Sequence, residues 1–258
     1  MITSTANEKV KYARSLLRRR VRQQERHFVI EGARLIQEAL RAGVQPALVF
    51  YVRAWAEDPD KGRLLASLTT NSFLVSEGVM KFLSPTVTPQ GLLAVLPFVE
   101  IPLPHELSLV LVVDGLRDPG NLGTILRSAE AAGVDEVITT HGTVDLYNPK
   151  VVRGAMGAHF RLPVATDQSW SEIEEKLKGW PVVLADPGAA KPYYEVDWTV
   201  PTALIIGGEA YGPGAEATRL ADAAVTIPMH GATESLNAAM AASIILFEAA
   251  RQRRSVLS

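Results

Sequence analysis

The stretch "LSLVLVVDGLRDPGNLGTILRSAEAAGVDEVITT", residues 107–140, decides how this chain is read. Its apolar run "LVLVVDG" enters a turn marked by Gly115, Pro119 and Gly120. Residues 121–132 then repeat apolar side chains at helical spacing, and "DEVITT" follows as a second strand. Strand, glycine turn, helix and strand make a parallel-sheet unit, the arrangement that presents nucleotide cofactors to a helix N-terminus. The glycine spacing argues against that use here. Gly115, Gly120 and Gly123 do not form the G-x-G-x-x-G of a dinucleotide site, and no G-x-x-x-x-G-K-[ST] occurs in the chain. A Rossmann-type oxidoreductase and a P-loop nucleotidase are both disfavoured. Arg127 lies within the helix. At about 100° per residue, Ile125, Ser128, Ala129 and Ala132 share a face and Arg127 points nearly opposite, so helical geometry assigns it to solvent.

Downstream the alternation continues. We read a helix around 148–157, "FRLPVAT", a helix over 169–178, "PVVLADP", "TALIIGGE", a short helix around 213–220, "AAVTIPM", and a last helix over 235–253. The strands are continuous apolar runs, as a parallel sheet covered on both faces requires. Upstream, "LPFVEIPLPHEL" (96–107) holds Pro97, Pro102 and Pro104 and resists both helix and interior strand. It marks a linker at 101–106 between a domain of residues 1–100 and a larger one of 107–258. The first domain reads as a basic helix over 7–22, "HFVIEG", a helix "ARLIQEALRAG", "ALVFYV", a helix over 58–69, "SFLVS", a short helix "GVMKFL" and "GLLAVLP". That is a small α/β domain.

The 258 residues are 47% hydrophobic and 21% charged, so the chain can bury a substantial core and is not of the disordered class. It has no cysteine, which removes disulfides, thiolate nucleophiles and Cys-based metal sites. No apolar run approaches the ~18 residues of a membrane span, and the N-terminus has no signal-like apolar region. We expect a cytoplasmic protein with no membrane partner. The formal net charge of −2 conceals an asymmetry. Lys9, Lys11, Arg14, Arg18, Arg19, Arg20, Arg22 and Arg26 face only Glu8 and Glu25 within the first 26 residues. A solvated, arginine-rich helix is the plainer reading. Three consecutive arginines cannot share one helix face, however, and they point to a polyanion partner.

Two further stretches carry chemistry. In "ALIIGGEAYGPG" (203–214) an apolar strand ends on paired glycines, where a backbone can approach a ligand closely. Glu209 could equally be a helix-entry acid. In "VTIPMHGATESLNAAMAASIILFEAARQR" (225–253), Ser235 is a plausible N-cap and the alanines permit close helix packing. A capped core helix leaves Asn237 unexplained, since asparagine is a poor helix former just inside a first turn. The histidines at 27, 105, 141, 159 and 230 show no metal-ligand spacing, and no metal is expected.

Together these blocks resemble the SpoU (TrmH-type) family of RNA ribose 2′-O-methyltransferases, of the SPOUT superfamily. Its Asn-x-Gly-x-x-x-Arg run is matched by Asn121, Gly123 and Arg127. Its Gly-x-Glu and glycine turn are matched by Gly207, Glu209, Gly212 and Gly214, and its Ile-Pro-Met…Ser-Leu-Asn by Ile227, Pro228, Met229, Ser235, Leu236 and Asn237. The order is kept across residues 107–253, with no departure at the motif positions. The N-terminal block resembles the substrate-binding domain that often precedes this catalytic domain, through "FVIEGARLIQEAL" and "SPTVTPQGLLAV".

The resemblance implies an α/β catalytic domain, a parallel sheet with helices on both faces and a C-terminal trefoil knot, preceded by a small α/β RNA-binding domain. It implies S-adenosylmethionine as methyl donor, held by Gly207, Ile227 and Leu236 with Thr140 and Met229 as neighbours. It implies Arg127, Asn121, Glu209, Ser235 and Asn237 as catalytic residues, with Asn and Arg of one subunit of a homodimer completing the site of the other. Arginine is always protonated at working pH, so we assign Arg127 to gripping phosphate and orienting the hydroxyl rather than to base catalysis. Arg14, Arg18, Arg19, Arg20 and Arg22 are the expected RNA contacts. The expected substrate is RNA, 23S ribosomal RNA in a two-domain member. A transfer-RNA methyltransferase and a non-catalytic RNA-binding or ribosome-assembly protein are the alternatives. Removing residues 1–100 is expected to abolish RNA binding and leave a folded, cofactor-binding dimer.

Overall fold

The computed structural model describes residues 1–68, 71–208, 212–231 and 233–257. They divide into two compact units, Met1–Glu100 with Tyr147–Phe160, and Ile101–Leu146 with Arg161–Ser258. The segment 147–160, read from sequence as part of the second domain, therefore packs with the first.

The first unit contains α1 (Glu8–Ser15), α2 (Arg19–Glu25), β1 (His27–Glu31), α3 (Ala33–Arg41), β2 (Leu48–Tyr51), α4 (Arg53–Glu57), α5 (Pro59–Ser67), β3 (Asn71–Leu74), α6 (Glu77–Leu83) and β4 (Leu92–Pro97). Its sheet runs β1-β4-β2-β3, with β4 antiparallel to both neighbours and β2 parallel to β3. The basic segment is two helices and not one. Asn7 caps α1 by accepting from the Lys9 N–H, and α1 stops at the buried Leu16. Arg22 explains the break: it is 2% exposed, and its Nη1 donates at 2.7 Å to the Leu16 carbonyl that α1 leaves over. The proline-rich stretch is also partly ordered. Phe98 stacks on Tyr147 with centroids 3.7 Å apart, and the Val99 N–H donates to Tyr147 Oη at 3.1 Å. Tyr147 then leads into α8 (Pro149–Ala155), capped by Asn148.

The second unit holds β5 (Leu109–Asp114), α7 (Pro119–Ala132), β6 (Glu136–Thr140), β7 (Val164–Gln168), α9 (Trp170–Lys176), β8 (Val182–Ala185), β9 (Lys191–Pro192), β10 (Thr202–Gly207), α10 (Ala215–Leu220), β11 (Ala223–Thr226) and α11 (Ala238–Leu257). Among the described residues every strand pairing here is parallel, in the order β7-β6-β5-β10-β8-β11-β9. The two-residue β9 and the short α4 carried no legible sequence signal. Val110, Val112, Ala203 and Ile205 pack with Ile173 of α9, Leu177 at its end and Ala217 of α10. The alternate residues Leu111, Val113, Leu204 and Ile206 are equally buried. Continuous apolar runs were needed for that reason. On α7, Leu122, Ile125, Leu126 and Ala129 are buried, and Ser128 and Ser243 meet at 2.7 Å where α7 packs on α11.

Candidate active site

A cleft of about 520 Å³ opens beyond the carboxyl ends of β8, β10 and β11, the end of a parallel sheet where ligands bind. Three segments wall it. The first is the end of β10 with the glycine turn after it. A Cβ on Gly207 would lie 2.6 Å from the Pro213 nitrogen and 2.7 Å from the Gly212 carbonyl carbon, so only glycine lets these backbones pass. Gly212 itself has φ +65°. Asp114, closing β5, ties the turn down: its Oδ2 accepts from the Gly214 N–H at 3.1 Å and its Oδ1 from Thr140 Oγ1 at 2.9 Å. Sequence reasoning passed over Asp114, although an acid ending an apolar strand before a glycine was a signal.

The second wall is the chain after β11, carrying Ile227, Met229, Ser235 and Leu236. The third is the start of α11, where Ala238, Ala241 and Ile245 present a mostly small-residue face. Here the structure corrects the capping assignment. The helix begins at Ala238, and Asn237 is its cap, with Oδ1 accepting from the N–H groups of Ala239 (2.9 Å) and Met240 (3.3 Å). Ser235 lies exposed in the preceding loop. Because Oδ1 is committed to the helix, Asn237 Nδ2 is the donor that remains, and it reaches Asn121 Oδ1 at 3.0 Å.

Asn121 stands in the first turn of α7, its own N–H donating to the capping Asp118 at 2.9 Å. The helix starts at Pro119, two residues earlier than its periodicity indicated, because Asp118 is the cap and proline suits the first helical position. Arg127 is exposed and does not line the cleft, as helical geometry required.

Of the expected cofactor contacts, Gly207, Ile227, Met229 and Leu236 share this cleft, with Ser235 and Asn237 beside them. Thr140 does not line it. It is 3% exposed, and its Oγ1 accepts from the Gly115 N–H at 2.9 Å while donating to Asp114, so it braces the ends of β5 and β6. Glu209 lies outside the described residues. The described lining includes the carboxylates Asp186 and Glu234 and no cation, which favours a positively charged ligand over a phosphate-bearing one. Among the described residues no group of three or more His, Cys, Asp or Glu could hold a metal.

In the first unit, Arg18, Arg19 and Arg20 are exposed and Arg14 is half-buried. Arg22 is withdrawn from the surface by its bond to Leu16, which corrects its assignment as a surface contact.

Comparison with known proteins places the chain in a family. Residues 108–247 match the model of the SpoU rRNA Methylase family, and residues 7–94 that of the MRM3-like substrate binding domain. The chain is 35% identical to the 23S rRNA (guanosine(2553)-2′-O)-methyltransferase RlmP of Bacillus subtilis, over 95% of this chain and 97% of that protein. It is 34% identical to the human mitochondrial rRNA methyltransferase 3, over 90% of this chain and 69% of that one. The SpoU methyltransferase AviRb of Streptomyces viridochromogenes, solved in complex with the cofactor AdoMet, superposes with a TM-score of 0.89. It is 30% identical, covering 96% of this chain and 99% of AviRb.

Proposed function

This chain belongs to the SpoU rRNA methylase family, and we propose from that premise that it methylates a ribose 2′-hydroxyl of large-subunit ribosomal RNA. The observation that carries the reading is the cleft itself, which gathers Gly207, Ile227, Leu236 and Asn237 at one sheet end and reaches Asn121 by a direct hydrogen bond.

The lining suits S-adenosylmethionine. Apolar Ile227, Met229 and Leu236 suit the adenosine, Gly207 leaves room for backbone contact, and Asp186 and Glu234 suit a ligand of net positive charge. When bound, it supplies a sulfonium methyl that is already a strong electrophile. The protein's task is then chiefly to align the hydroxyl and hold its surroundings. Asn237 and Asn121 lock each other in orientation beside the cleft, and we assign Ser235 and Glu209 to the same positioning role. A guanidinium keeps its proton throughout the physiological range, so Arg127 acts as a donor that grips the RNA phosphate.

Arg127 is exposed and does not line its own cleft, which supports action across a homodimer. On α11, Met240 and Phe247 are 58% and 48% exposed and lie seven residues apart, a stripe suited to a second copy of the chain. Asn121, by contrast, makes its contact within its own chain. We extend the reading to a trefoil knot in the C-terminal segment. The match of residues 108–247 to the SpoU rRNA Methylase family model is what supports it. The working compartment we assign is the cytoplasm.

The test is transfer of labelled methyl from S-adenosylmethionine to unmodified large-subunit ribosomal RNA, with the product mapped as a 2′-O-methyl ribose. Methylation of transfer RNA in place of ribosomal RNA, or of a base in place of a ribose, would overturn it. Sedimentation should give a dimer.

A further inference from the structure

We propose that a groove in the first unit, walled by α1, the loop after α6 and the start of α8, holds the phosphodiester backbone of the RNA, with Arg14, Lys150 and Arg153 as its anion contacts. The proposal rests on the reading above that the chain acts on RNA, and it deepens that reading by locating where the strand is held.

The groove has a volume of about 450 Å³ and is open to solvent. Its described lining contains three cations, Arg14, Lys150 and Arg153, and no carboxylate. Each cation is placed differently. Arg14 is oriented by the Phe82 ring, 5.2 Å from its guanidinium carbon, and by one bond from Nη1 to the Ser84 carbonyl at 3.3 Å. A guanidinium carries five donor hydrogens, so most of its capacity is left for a ligand. Lys150 is exposed at the start of α8. Arg153 carries the strongest indication, because its Nη1 is buried and has no hydrogen-bond partner. A buried charged donor without an acceptor is costly, so the half-buried guanidinium gains by turning outward to an anion seated in the groove that it lines.

The opposite wall is preorganised. Glu31, 3% exposed, accepts from Ser84 Oγ at 2.8 Å, Thr86 Oγ1 at 3.1 Å and the Gln90 N–H at 2.7 Å. These bonds fix the loop and spend the carboxylate's lone pairs on internal donors. An open groove leaves any single small anion largely hydrated. A polyanion gains from several cations at once through the counterions it releases, which favours a nucleic-acid strand over a free phosphate.

The proposal changes where the RNA surface lies in the sequence. Lys150 and Arg153 belong to "NPKVVRGAMG" (148–157), far from the N-terminal arginines, and they join Arg14 only because residues 147–160 fold into the first unit.

The experiment measures binding of unmodified large-subunit ribosomal RNA, across a salt series, to the full chain and to Arg14→Gln, Lys150→Gln and the double variant. Each single change should weaken binding roughly three- to ten-fold and lower the slope of log affinity against log salt by about one, and the double by about two. Affinity for S-adenosylmethionine and the melting temperature should hold. Arg153→Lys, which keeps the charge and loses the fork, should weaken binding as well. Because Arg153 is partly buried, the exposed Lys150 keeps the test valid if that variant folds poorly. Folded variants with wild-type affinity and salt slope overturn the groove. Inorganic phosphate that occupies the groove while RNA binding ignores the substitutions overturns it too. A wild-type protein that neither binds nor methylates RNA fails at the earlier reading, and the groove falls with it.

Discussion

Asn237 Nδ2 donates a hydrogen bond to Asn121 Oδ1 at 3.0 Å, joining the cap of α11 to the first turn of α7 across 116 residues of chain. One amide thereby does two things: its oxygen holds the start of a helix, and its nitrogen holds a second motif residue beside the cleft. These roles separate by substitution. Asn237→Ala should lose about 1 kcal/mol of stability through the cap and most of the methyl transfer. Asn237→Asp keeps an acceptor for the Ala239 and Met240 N–H groups but sets a carboxylate against Asn121 Oδ1. Its melting temperature should stay near wild type while kcat falls at least ten-fold. Parallel loss of both in the Asp variant would mean that the asparagine pair has no role beyond capping.

Gly207 makes a sharper demand. A methyl group there meets the 212–213 backbone at 2.6–2.8 Å, and backbone has little freedom to withdraw. Gly207→Ala should cost about 1–3 kcal/mol and weaken S-adenosylmethionine binding in calorimetry. Gly231→Ala serves as the control, since nothing lies within 4 Å of its added carbon. Equal tolerance at both positions would remove the close-approach explanation.

For Arg127 the expectation is a clean split between binding and transfer. It is exposed on α7 and stands apart from the cofactor-sized cleft, so Arg127→Ala should leave S-adenosylmethionine affinity and melting nearly unchanged and abolish methylation. Arg127→Lys should recover little, because the planar fork is lost. Mixing Arg127→Ala chains with chains defective at Asn237 tests the dimer: activity returning in the mixture supports action in trans, and none returning counts against it.

Deleting residues 1–100 no longer promises a tidy catalytic fragment. Tyr147 and Phe160 are 7% and 6% exposed, and they pack on Phe28, with Phe98 also stacked on Tyr147. A chain beginning at residue 101 should therefore expose two aromatic residues, bind apolar dyes and aggregate in size-exclusion chromatography. A monodisperse dimer would show instead that 147–160 can repack without its partners.

The element order was legible because burial leaves periodic traces. The apolar runs of β5, β8 and β10 required a doubly covered parallel sheet, and the glycines of "IIGGE" signalled close backbone approach. Two of the three motifs supply residues of the cleft: Gly207 and Gly212 from the second, and Ile227, Met229, Ser235, Leu236 and Asn237 from the third. Arg127 was placed correctly by a geometric rule that needs only the turn of a helix.

What one-dimensional pattern could not supply was partnership between distant residues. Nothing local says that Arg22, one arginine in a basic run, turns inward to a carbonyl six residues back while Arg18, Arg19 and Arg20 stay outside. Nothing local chooses Asn237 over Ser235 as the cap, since either side chain can accept the bond, and the choice follows from where α11 begins and from Asn121 waiting nearby. Thr140 and Asp114 became braces because parallel pairing brings the ends of β5 and β6 side by side. Composition and periodicity determined the α/β class, and the order of the motifs carried the resemblance that implied the chemistry. Which side chains face the cleft, which only support it, and to which unit 147–160 belongs were decided by tertiary packing, because burial and hydrogen bonding are settled between segments that the sequence keeps far apart.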